Sequence, residues 1–261
     1  MRETRLKRLW KQGRTGFGLW VTLEAPSVTE IAAVAGLDWV VIDAEHGHLD
    51  YRDILEHLRA AGNRDITLIV RVATVDEGAI KRVLDLGADG IIVPQIRTAE
   101  EVARAVRFAK YPPQGSRGIG AERAMRWGMG MRTLARSANR RTLVIPMIEH
   151  FEAGRNFDSI LEVKGVDAFF YGTCDYAASV GDLGDCGTPR VEKEVAALHK
   201  KARARKIPGA VLVNRIEDAQ ARERQGFKMI GIGIDSLMII GTIQKTLAAL
   251  GRPIPRKQWD G

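Results

Sequence analysis

The amino-acid sequence predicts one α/β domain over residues 1–261, a (β/α)8 TIM barrel with a helix at its N-terminus. A chain of 261 residues that is 45% hydrophobic has the size of a single barrel of this type. Apolar runs recur about every 25 to 30 residues, and amphipathic stretches separate them, as in successive strand–helix units. A doubly wound open sheet is the alternative fold, but eight strands without a linker or a second block of composition favour a closed barrel.

Eight apolar segments are expected to form the strands. Several are nearly unbroken runs of Val and Ile, which is typical of strands that are buried on both faces. The segments lie near residues 16–23, 39–46, 67–72, 90–96, 142–149, 168–175, 209–216 and 229–235.

Helical patterns occupy the gaps between these strands. The predicted helices run from Ser27 or Thr29 to Ala35 and over residues 50–61, 76–86, 98–109, 151–161, 191–205, 217–225 and 237–250. Glycines follow several of these segments, as expected where helices end in the left-handed conformation. The long insert over residues 111–141 is rich in Gly and Arg, and we expect it to form a functional loop or a contact between subunits.

The composition excludes several classes of protein. Two cysteines, Cys174 and Cys186, provide neither a disulfide framework nor a Cys-rich zinc site. The charged N-terminus lacks the apolar core of a signal peptide, and no segment approaches the roughly 18 apolar residues that span a bilayer. We therefore expect a cytoplasmic protein with no membrane partner. The net charge of +8 is compatible with acidic small molecules or nucleic acid as partners and does not select a fold.

Charged and polar residues stand where the predicted strands end. In a barrel of this type the carboxyl ends of the strands share one face, at which active sites lie. Charged groups directly after apolar strands are costly unless they face a polar site, so their recurrence predicts such a site. The residues are Asp43, Glu45, His46, Arg71, Gln95, Glu149, Asp175, Asn214 and Asp235.

Two of these acids, Glu149 and Asp175, end adjacent strands, so we expect their carboxylates to converge. Two hard oxygen ligands with open coordination positions suit Mg²⁺ or Mn²⁺. Helix capping or pairing with arginine is the alternative explanation for both acids. Histidine is the side chain that titrates near neutral pH, so His46 can act as a proton shuttle, or it can be an ordinary rim histidine.

Arg71 ends an otherwise apolar strand and offers a planar fork of donors, which would bind a carboxylate or stabilise an enolate oxygen. An ion pair with Asp43 or Glu149 is the structural alternative, and both roles can coexist. The turn from Gly172 to Asp175 consists of small residues before a helix-like segment, and its backbone N–H groups could hold a substrate carboxylate. An ordinary tight turn between strand and helix is the other interpretation.

Eight motifs carry a resemblance to a known enzyme family, from Gly18 to about Leu250. They are GLW-(x)₅-PS, DWVVIDAEHG, VRV, GADGIIVPQI, AKYPPQGSRGIG, PMIE, GVDAFFYG-(x)₂-D and GIGIDS. The strings DAEHG and YPPQGSRGIG are quite specific, whereas VRV and PMIE are weak alone. In these motifs and their order the chain resembles the HpcH/HpaI aldolase family of metal-dependent (class II) pyruvate aldolases.

The resemblance implies a role for five residues. Glu149 and Asp175 would bind the divalent metal, Mg²⁺ or Mn²⁺ with Co²⁺ as a further candidate. His46 would be the acid/base residue, and Arg71 would stabilise developing negative charge. The family's helper acid falls on Asp85, towards the opposite barrel face, where it could serve only the site of a neighbouring subunit. Family members form homo-oligomers, trimers or hexamers, commonly with exchanged C-terminal helices, which implies the same for the helix over residues 237–250.

The resemblance also identifies the side of the site that contacts substrate. The residues there are Arg71, Met147, Thr173, Cys174 and Asp175. Met147 stands where the family often has Gln, and a thioether cannot hydrogen-bond a substrate oxygen well. Gly-Thr-Cys-Asp-Tyr-Ala replaces the usual Gly-Pro-Ala/Ser-Asp-Leu-Ser, and His150 replaces a common Thr. These departures leave the metal ligands and the base intact and concern the choice of substrate.

The implied activity is that of a carbon–carbon lyase, which cleaves a 4-hydroxy-2-oxo acid to pyruvate plus an aldehyde or runs the reverse aldol addition. The related alternative is condensation or cleavage of oxaloacetate-, citrate- or citramalate-like compounds or thioesters. A nucleic-acid-binding module is the alternative of another class, because residues 2–14 hold six Lys or Arg against one Glu. The aromatic residues that would stack on bases are sparse, so we expect small-molecule partners, a 2-oxo acid and an aldehyde, and no nucleic acid.

Overall fold

The computed structural model describes residues 3–252, so residues 1–2 and 253–261 of the predicted domain lie outside them. Within that range eight parallel strands form a closed barrel in sequential order, with the last strand paired to the first. The strands are β1 (Gly16–Val21), β2 (Trp39–Asp43), β3 (Thr67–Arg71), β4 (Gly90–Val93), β5 (Leu143–Ile148), β6 (Phe169–Tyr171), β7 (Gly209–Leu212) and β8 (Met229–Ile234). The prediction of a (β/α)8 TIM barrel is confirmed.

Helices surround the barrel, and the first of them precedes β1. They are α1 (Arg5–Lys11), α2 (Pro26–Val34), α3 (Tyr51–Ala60), α4 (Glu77–Leu86), α5 (Ala99–Ala109), α6 (Met131–Arg141), α7 (Phe151–Arg155), α8 (Phe157–Ile160), α9 (Thr173–Ser179), α10 (Pro189–Ala204), α11 (Ile216–Gln225) and α12 (Asp235–Ala249). Capping boxes at Asp50 and Thr98 begin α3 and α5, and left-handed Gly87 and Gly226 end α4 and α11. Among residues 3–252, no helix has the length and apolar character needed to cross a bilayer.

The core has two layers, as the alternation of buried strand residues requires. Side chains such as Val40, Ile42 and Val70 pack outward against the helices, whereas Trp39, Val41 and Ile69 fill the barrel interior. Every residue of β2 and β3 is buried, which explains their continuous apolar sequence. The two layers hold the carboxyl ends of the strands in fixed register.

Several elements differ from the sequence prediction. Helix α2 begins at Pro26, whose fixed φ suits a first helical position, and no side chain caps it. Thr29, one of the two predicted starts of this helix, instead lies inside it and is buried, and its hydroxyl forms a hydrogen bond with His57 Nδ1 at 2.8 Å. The single helix predicted over 151–161 is two short helices, broken at Asn156, and the insert over 111–141 contains α6. Strand β6 ends at Tyr171, so residues 173–175, which were predicted to belong to this strand, lie in α9 instead.

Helix α12 is rich in apolar residues, above all in its first half, and is largely exposed. Leu237, Met238, Ile239, Ile240 and Ile243 each retain about half of their accessible surface. Asp235, at its first position, is the residue of this helix that is buried. An apolar helix with so little contact to its own barrel is unusual in an isolated protein.

Candidate active site

The carboxyl ends of β2 and β3 carry a buried ion pair. Asp43 and Arg71 are the last residues of these strands and lie opposite each other in register. Arg71 Nε donates to Asp43 Oδ1 at 2.8 Å, and Nη2 donates to Oδ2. Trp20 Nε1 also donates to Asp43 Oδ2 at 3.0 Å, and the Arg71 guanidinium lies 4.9 Å from the centre of the Trp20 ring. Burial raises the pKa of Asp43, but the hydrogen bonds and charge of Arg71 outweigh it and hold that pKa below its usual value.

The same guanidinium reaches a second carboxylate. Arg71 Nη1 lies 2.7 Å from Glu45 Oε2, and the Glu45 side chain is 12% exposed. Burial raises the pKa of Glu45, and the charge of Arg71 opposes that effect while those of Asp43 and Asp175 add to it. One arginine therefore faces more negative charge than it can neutralise.

Glu149 follows β5 and is buried at the centre of this cluster. The backbone N–H of Gln95 donates to Glu149 Oε1 at 2.6 Å, and Gln95 has a left-handed φ of 54°. Burial raises the pKa of Glu149 to about 7, because the Gln95 N–H and Arg71 only partly offset it and the carboxylates of Glu45 and Asp175 raise it further. The protein thus keeps a buried carboxylate whose negative charge is poorly compensated.

Asp175 completes the group from the first turn of α9. Its charge acts on both Glu45 and Glu149, so the structure brings the two predicted metal ligands to one place. Gly172, which precedes α9, leaves room for Glu149: a Cβ at Gly172 would lie 2.8 Å from both Cβ and Oε2 of that residue.

The donor set fits a divalent cation of the Mg²⁺ type. Glu149 and Asp175 offer hard carboxylate oxygens, and a cation between them would lower the raised pKa of Glu149. Among residues 3–252, no group of three or more His, Cys, Asp or Glu is arranged to hold a metal. Two protein ligands with open positions agree with a cation that substrate and water also coordinate.

His46 lies at the mouth of this cluster rather than inside it. Its side chain is 66% exposed, and Nε2 lies 4.0 Å from Glu45 Oε2. Its backbone N–H donates to Asp43 Oδ1 at 3.3 Å, so the loop after β2 is anchored on the same carboxylate that holds Arg71. The imidazole is available to a substrate that enters the barrel mouth.

Asp85 lies elsewhere. It belongs to the last turn of α4, which returns the chain to the amino end of the barrel, and it accepts a 2.6 Å hydrogen bond from Arg117 Nη2. Within one chain Asp85 therefore does not join the cluster around Glu149. This position agrees with the expectation that it could serve only a neighbouring subunit.

The predicted substrate residues occupy two different environments. Met147 is buried in the barrel interior, and Thr173 begins α9 at a half-buried position. Cys174 corrects the sequence analysis, because it forms a disulfide with Cys186 and its thiol is not free to meet a substrate. The composition excluded a disulfide framework and did not predict this single bond, because two cysteines in a sequence do not reveal that residues 180–188 fold back against α9.

Trp20 and Gln95 contribute to the site in ways that the sequence analysis missed or left unspecified. Trp20 was recognised only as part of an apolar strand, although its indole N–H bonds Asp43. Gln95 acts through its backbone, which residue type cannot reveal. Asp235 stood among the strand-end candidates, but its carboxylate accepts the backbone N–H groups of Thr22 and Leu23 and closes the barrel there.

Comparison with known proteins assigns the chain to a family. The model of the HpcH/HpaI aldolase/citrate lyase family matches residues 16–241. The chain belongs to this family. A 4-hydroxy-2-oxovalerate aldolase of Rhodococcus jostii strain RHA1 is 39% identical over 89% of this chain and 90% of its own length. A 2-keto-3-deoxy-L-rhamnonate aldolase of Klebsiella pneumoniae is 33% identical over 93% of this chain and 91% of its own.

A solved structure of the HpcH/HpaI family shows the same barrel. An aldolase/citrate lyase family protein from Burkholderia cenocepacia J2315 has a TM-score of 0.88 and 30% identity, and the match covers 94% of this chain and 98% of that one. The family resemblance that the motifs indicated is therefore confirmed over nearly the whole chain.

Proposed function

We propose that this protein is a metal-dependent aldolase that cleaves a 4-hydroxy-2-oxo acid to pyruvate and an aldehyde, or catalyses the reverse addition. The observation that supports this most directly is the uncompensated carboxylate of Glu149, with a pKa raised to about 7, beside Asp175 and Arg71 at one barrel mouth. Membership of the HpcH/HpaI family and two relatives named as aldolases agree with this reaction.

Glu149 and Asp175 would hold the divalent cation, Mg²⁺ or Mn²⁺. When bound, such a cation supplies a Lewis acid that polarises the keto group of the substrate. The N–H of Gln95 keeps Glu149 in one orientation, and Gly172 keeps the space around its carboxylate clear. The departures at Met147, Thr173 and Cys174 alter the surroundings of the substrate and leave both carboxylates in place.

Arg71 and His46 would carry the remaining steps. Arginine has five N–H donors; Asp43 accepts two of those of Arg71 and Nη1 lies beside Glu45, so others remain for a substrate oxygen that gains negative charge. Asp43 fixes the orientation of the Arg71 guanidinium, while the ring of Trp20 limits its movement on one side. The imidazole of His46, at the open mouth, would remove the proton of the 4-hydroxyl group as the C3–C4 bond breaks.

The test is cleavage of a panel of 4-hydroxy-2-oxo acids by protein stripped with EDTA and reloaded with Mg²⁺, Mn²⁺ or Co²⁺, with release of pyruvate as the readout. His46→Asn should lower kcat by about 10²-fold or more, the usual effect of losing a general base. His48→Asn is the matched control, because His48 is a similarly exposed neighbour, 62% exposed, that pairs with Glu24 at 3.4 Å. Equal activity of both variants would contradict the assignment of the base.

Two further arms separate the rival reactions. Trapping of a covalent adduct with borohydride and substrate would overturn the metal-dependent mechanism in favour of a Schiff base. Turnover of oxaloacetate with an acyl thioester, without cleavage of any hydroxy-oxo acid, would favour the citrate-type condensation. The expectation of a cytoplasmic enzyme stays a prediction.

We also propose that the protein forms a homo-oligomer, a trimer or hexamer, through α12. The exposed apolar side chains of this helix would be covered by a second copy, while Ile31 and Val34 of α2 are further exposed apolar residues. Ile240→Asp combined with Ile243→Asp should reduce the mass in light scattering, whereas Gln244→Asp on the same helix should not. An unchanged mass of the double variant would refute this interface.

An oligomer would also give Asp85 a role. Mixed oligomers of His46→Asn and Asp85→Asn chains should regain activity that neither parent has, because some sites would then combine an intact His46 with an intact Asp85 of another subunit. Failure of the mixture to exceed both parents would refute a contribution of Asp85 to a neighbouring site.

A further inference from the structure

The Cys174–Cys186 disulfide lies directly beside one of the two proposed metal ligands. Cys174 immediately precedes Asp175 in the first turn of α9, and Cys186 lies in the loop of residues 180–188 that follows this helix. Cys174 is exposed and Cys186 is half-buried, so small thiols can reach the bond. The bond joins the turn that carries Asp175 to a segment that contributes nothing else to the cluster around Glu149.

Asp175 has little else to orient it. Within residues 3–252 its carboxylate makes no hydrogen bond and no ion pair, so its direction depends on the backbone of its own turn. The rest of α9 is held independently of the disulfide. Tyr176 and Ala177 are buried, and the Tyr176 hydroxyl donates to Glu194 at 2.7 Å. Opening the disulfide would therefore remove the covalent constraint on the first turn at Cys174, while the hydrogen bond from the Tyr176 N–H to the Gly172 carbonyl at 3.0 Å keeps the helix in place.

The loop also keeps contacts of its own. Thr188 Oγ donates to Asp182 Oδ2 at 2.9 Å, and the N–H of Asp182 donates to the carbonyl of Ala177 at 2.9 Å. Reduction would thus release a local tether of 12 residues in sequence rather than unfold a region. A tether of this kind acts by limiting the conformations of the segment that it closes.

We propose that Cys174 and Cys186 form a reversible thiol–disulfide site that sets the affinity of Glu149 and Asp175 for the divalent cation. This inference rests on the proposed function of those two carboxylates. The oxidised pair keeps the turn from Gly172 to Asp175 in place beside Glu149, and the reduced pair lets Asp175 move away from it. Affinity for Mn²⁺ should fall about fivefold on reduction, which corresponds to about 1 kcal/mol.

The exchange requires a small disulfide, such as glutathione disulfide, as the oxidant. One cysteine thiolate attacks a sulfur of the small disulfide, whose S–S bond breaks and releases one thiolate. The second cysteine then attacks the mixed disulfide, closes the protein S–S bond and releases the second thiolate. Two electrons pass from the cysteines to the small disulfide, and the two protons of the cysteines end on the two released thiols. A dithiol reverses the sequence.

The experiment is a titration of the full chain with Mn²⁺, followed by the electron paramagnetic resonance signal of the free ion. Protein oxidised with glutathione disulfide is compared with protein reduced by dithiothreitol, after the reagent is removed without oxygen. Cys186→Ser, which lacks the bond and leaves Asp175 and its neighbours unchanged, should bind Mn²⁺ as the reduced protein does under both conditions. Leu183→Ser, in the same exposed loop, is the matched control and should respond to reduction like the wild type.

Each outcome decides the matter. A weaker affinity in reduced protein and in Cys186→Ser supports the inference. Equal affinity in both states overturns it and leaves the proposed metal site standing, even if the melting temperature falls on reduction, since a purely structural bond would do that. If neither the oxidised nor the reduced protein binds Mn²⁺ saturably, the proposed metal site is wrong. The same follows if Glu149→Gln still binds Mn²⁺. Alkylation of both cysteines in the oxidised protein would show that the bond does not form and would refute the inference.

Discussion

Replacing Glu149 with Gln should make the metal-free protein more stable at pH 8 and at the same time abolish its response to divalent cations. Burial and neighbouring carboxylates raise the pKa of Glu149 from 4.5 to about 7. Each pKa unit corresponds to 1.36 kcal/mol, so the ionised carboxylate lowers the free energy of unfolding by up to about 3 kcal/mol above pH 7. Gln has nearly the same shape, and its amide oxygen can still accept the Gln95 N–H without carrying charge.

The sign of the effect depends on pH in a defined way. Because the pKa of Glu149 is higher in the folded protein than in the unfolded chain, the folded state holds more protons between about pH 4.5 and pH 7. The stabilising contribution of the protonated group is therefore fully present below this window and is lost as the pH rises through it. Near pH 4.5 the variant should match the wild type, whereas at pH 8 it should melt about 5–10 °C higher.

Thermal melts in EDTA at these two pH values measure the effect, and addition of Mn²⁺ completes the assay. A cation at 100 times its Kd should stabilise the wild type by about 2.7 kcal/mol and the variant not at all. Glu152→Gln, on an exposed acid three positions along the chain, is the control and should change neither melt. A lower melting temperature of Glu149→Gln at pH 8, or an equal gain at both pH values, would refute the idea of an uncompensated buried charge.

Three other substitutions test separate parts of the structure. Gly172→Ala should weaken Mn²⁺ binding about tenfold or more, because the added Cβ would lie 2.8 Å from the Glu149 carboxylate. Gly187→Ala is the control, because a Cβ there has no neighbour within 4 Å. Arg71→Lys should lower kcat by about 10²-fold, because a lysine cannot reproduce the paired hydrogen bonds to Asp43. A kcat within threefold of the wild type would contradict this role. Burial lowers the pKa of His199 to about 4, so the wild type should lose up to about 3 kcal/mol of stability as the pH falls from 6.5 to 4. His199→Gln should remove this slope in urea melts at pH 7 and pH 4.5, and parallel slopes would rule the explanation out.

The barrel and the ring of strand-end residues could be predicted because both depend on short-range patterns. Each strand is a run of buried apolar residues, and the charged group that ends it needs a polar partner, as Asp43 and Arg71 find in each other. The barrel then brings every strand end to one face. This reasoning located Glu149, Asp175 and His46 without coordinates, although it assigned Asp235 to the same class when its carboxylate instead binds backbone N–H groups.

The features that sequence patterns could not supply depend on contacts between distant segments or on the backbone. The bond between Cys174 and Cys186 exists because a loop without regular structure turns back on α9. The donor to Glu149 is a backbone N–H in a left-handed residue, Gln95, and residue type does not encode that role. The indole of Trp20 has both an apolar body and a polar donor, so an apolar strand pattern hides its bond to Asp43.

The charges at the barrel mouth explain why one arginine can serve both structure and reaction. Asp43 and Arg71 compensate each other through two hydrogen bonds, and this pair can persist whether or not substrate is present. Glu45, Glu149 and Asp175 then remain with a shared excess of negative charge, which Arg71 only reduces. Removing any one of these three acids should relieve the repulsion among them. Their presence therefore lowers the stability of the folded protein unless a cation neutralises them. The raised pKa of buried Glu149 agrees with the proposed metal site, because helix capping or ion pairing alone would lower that pKa.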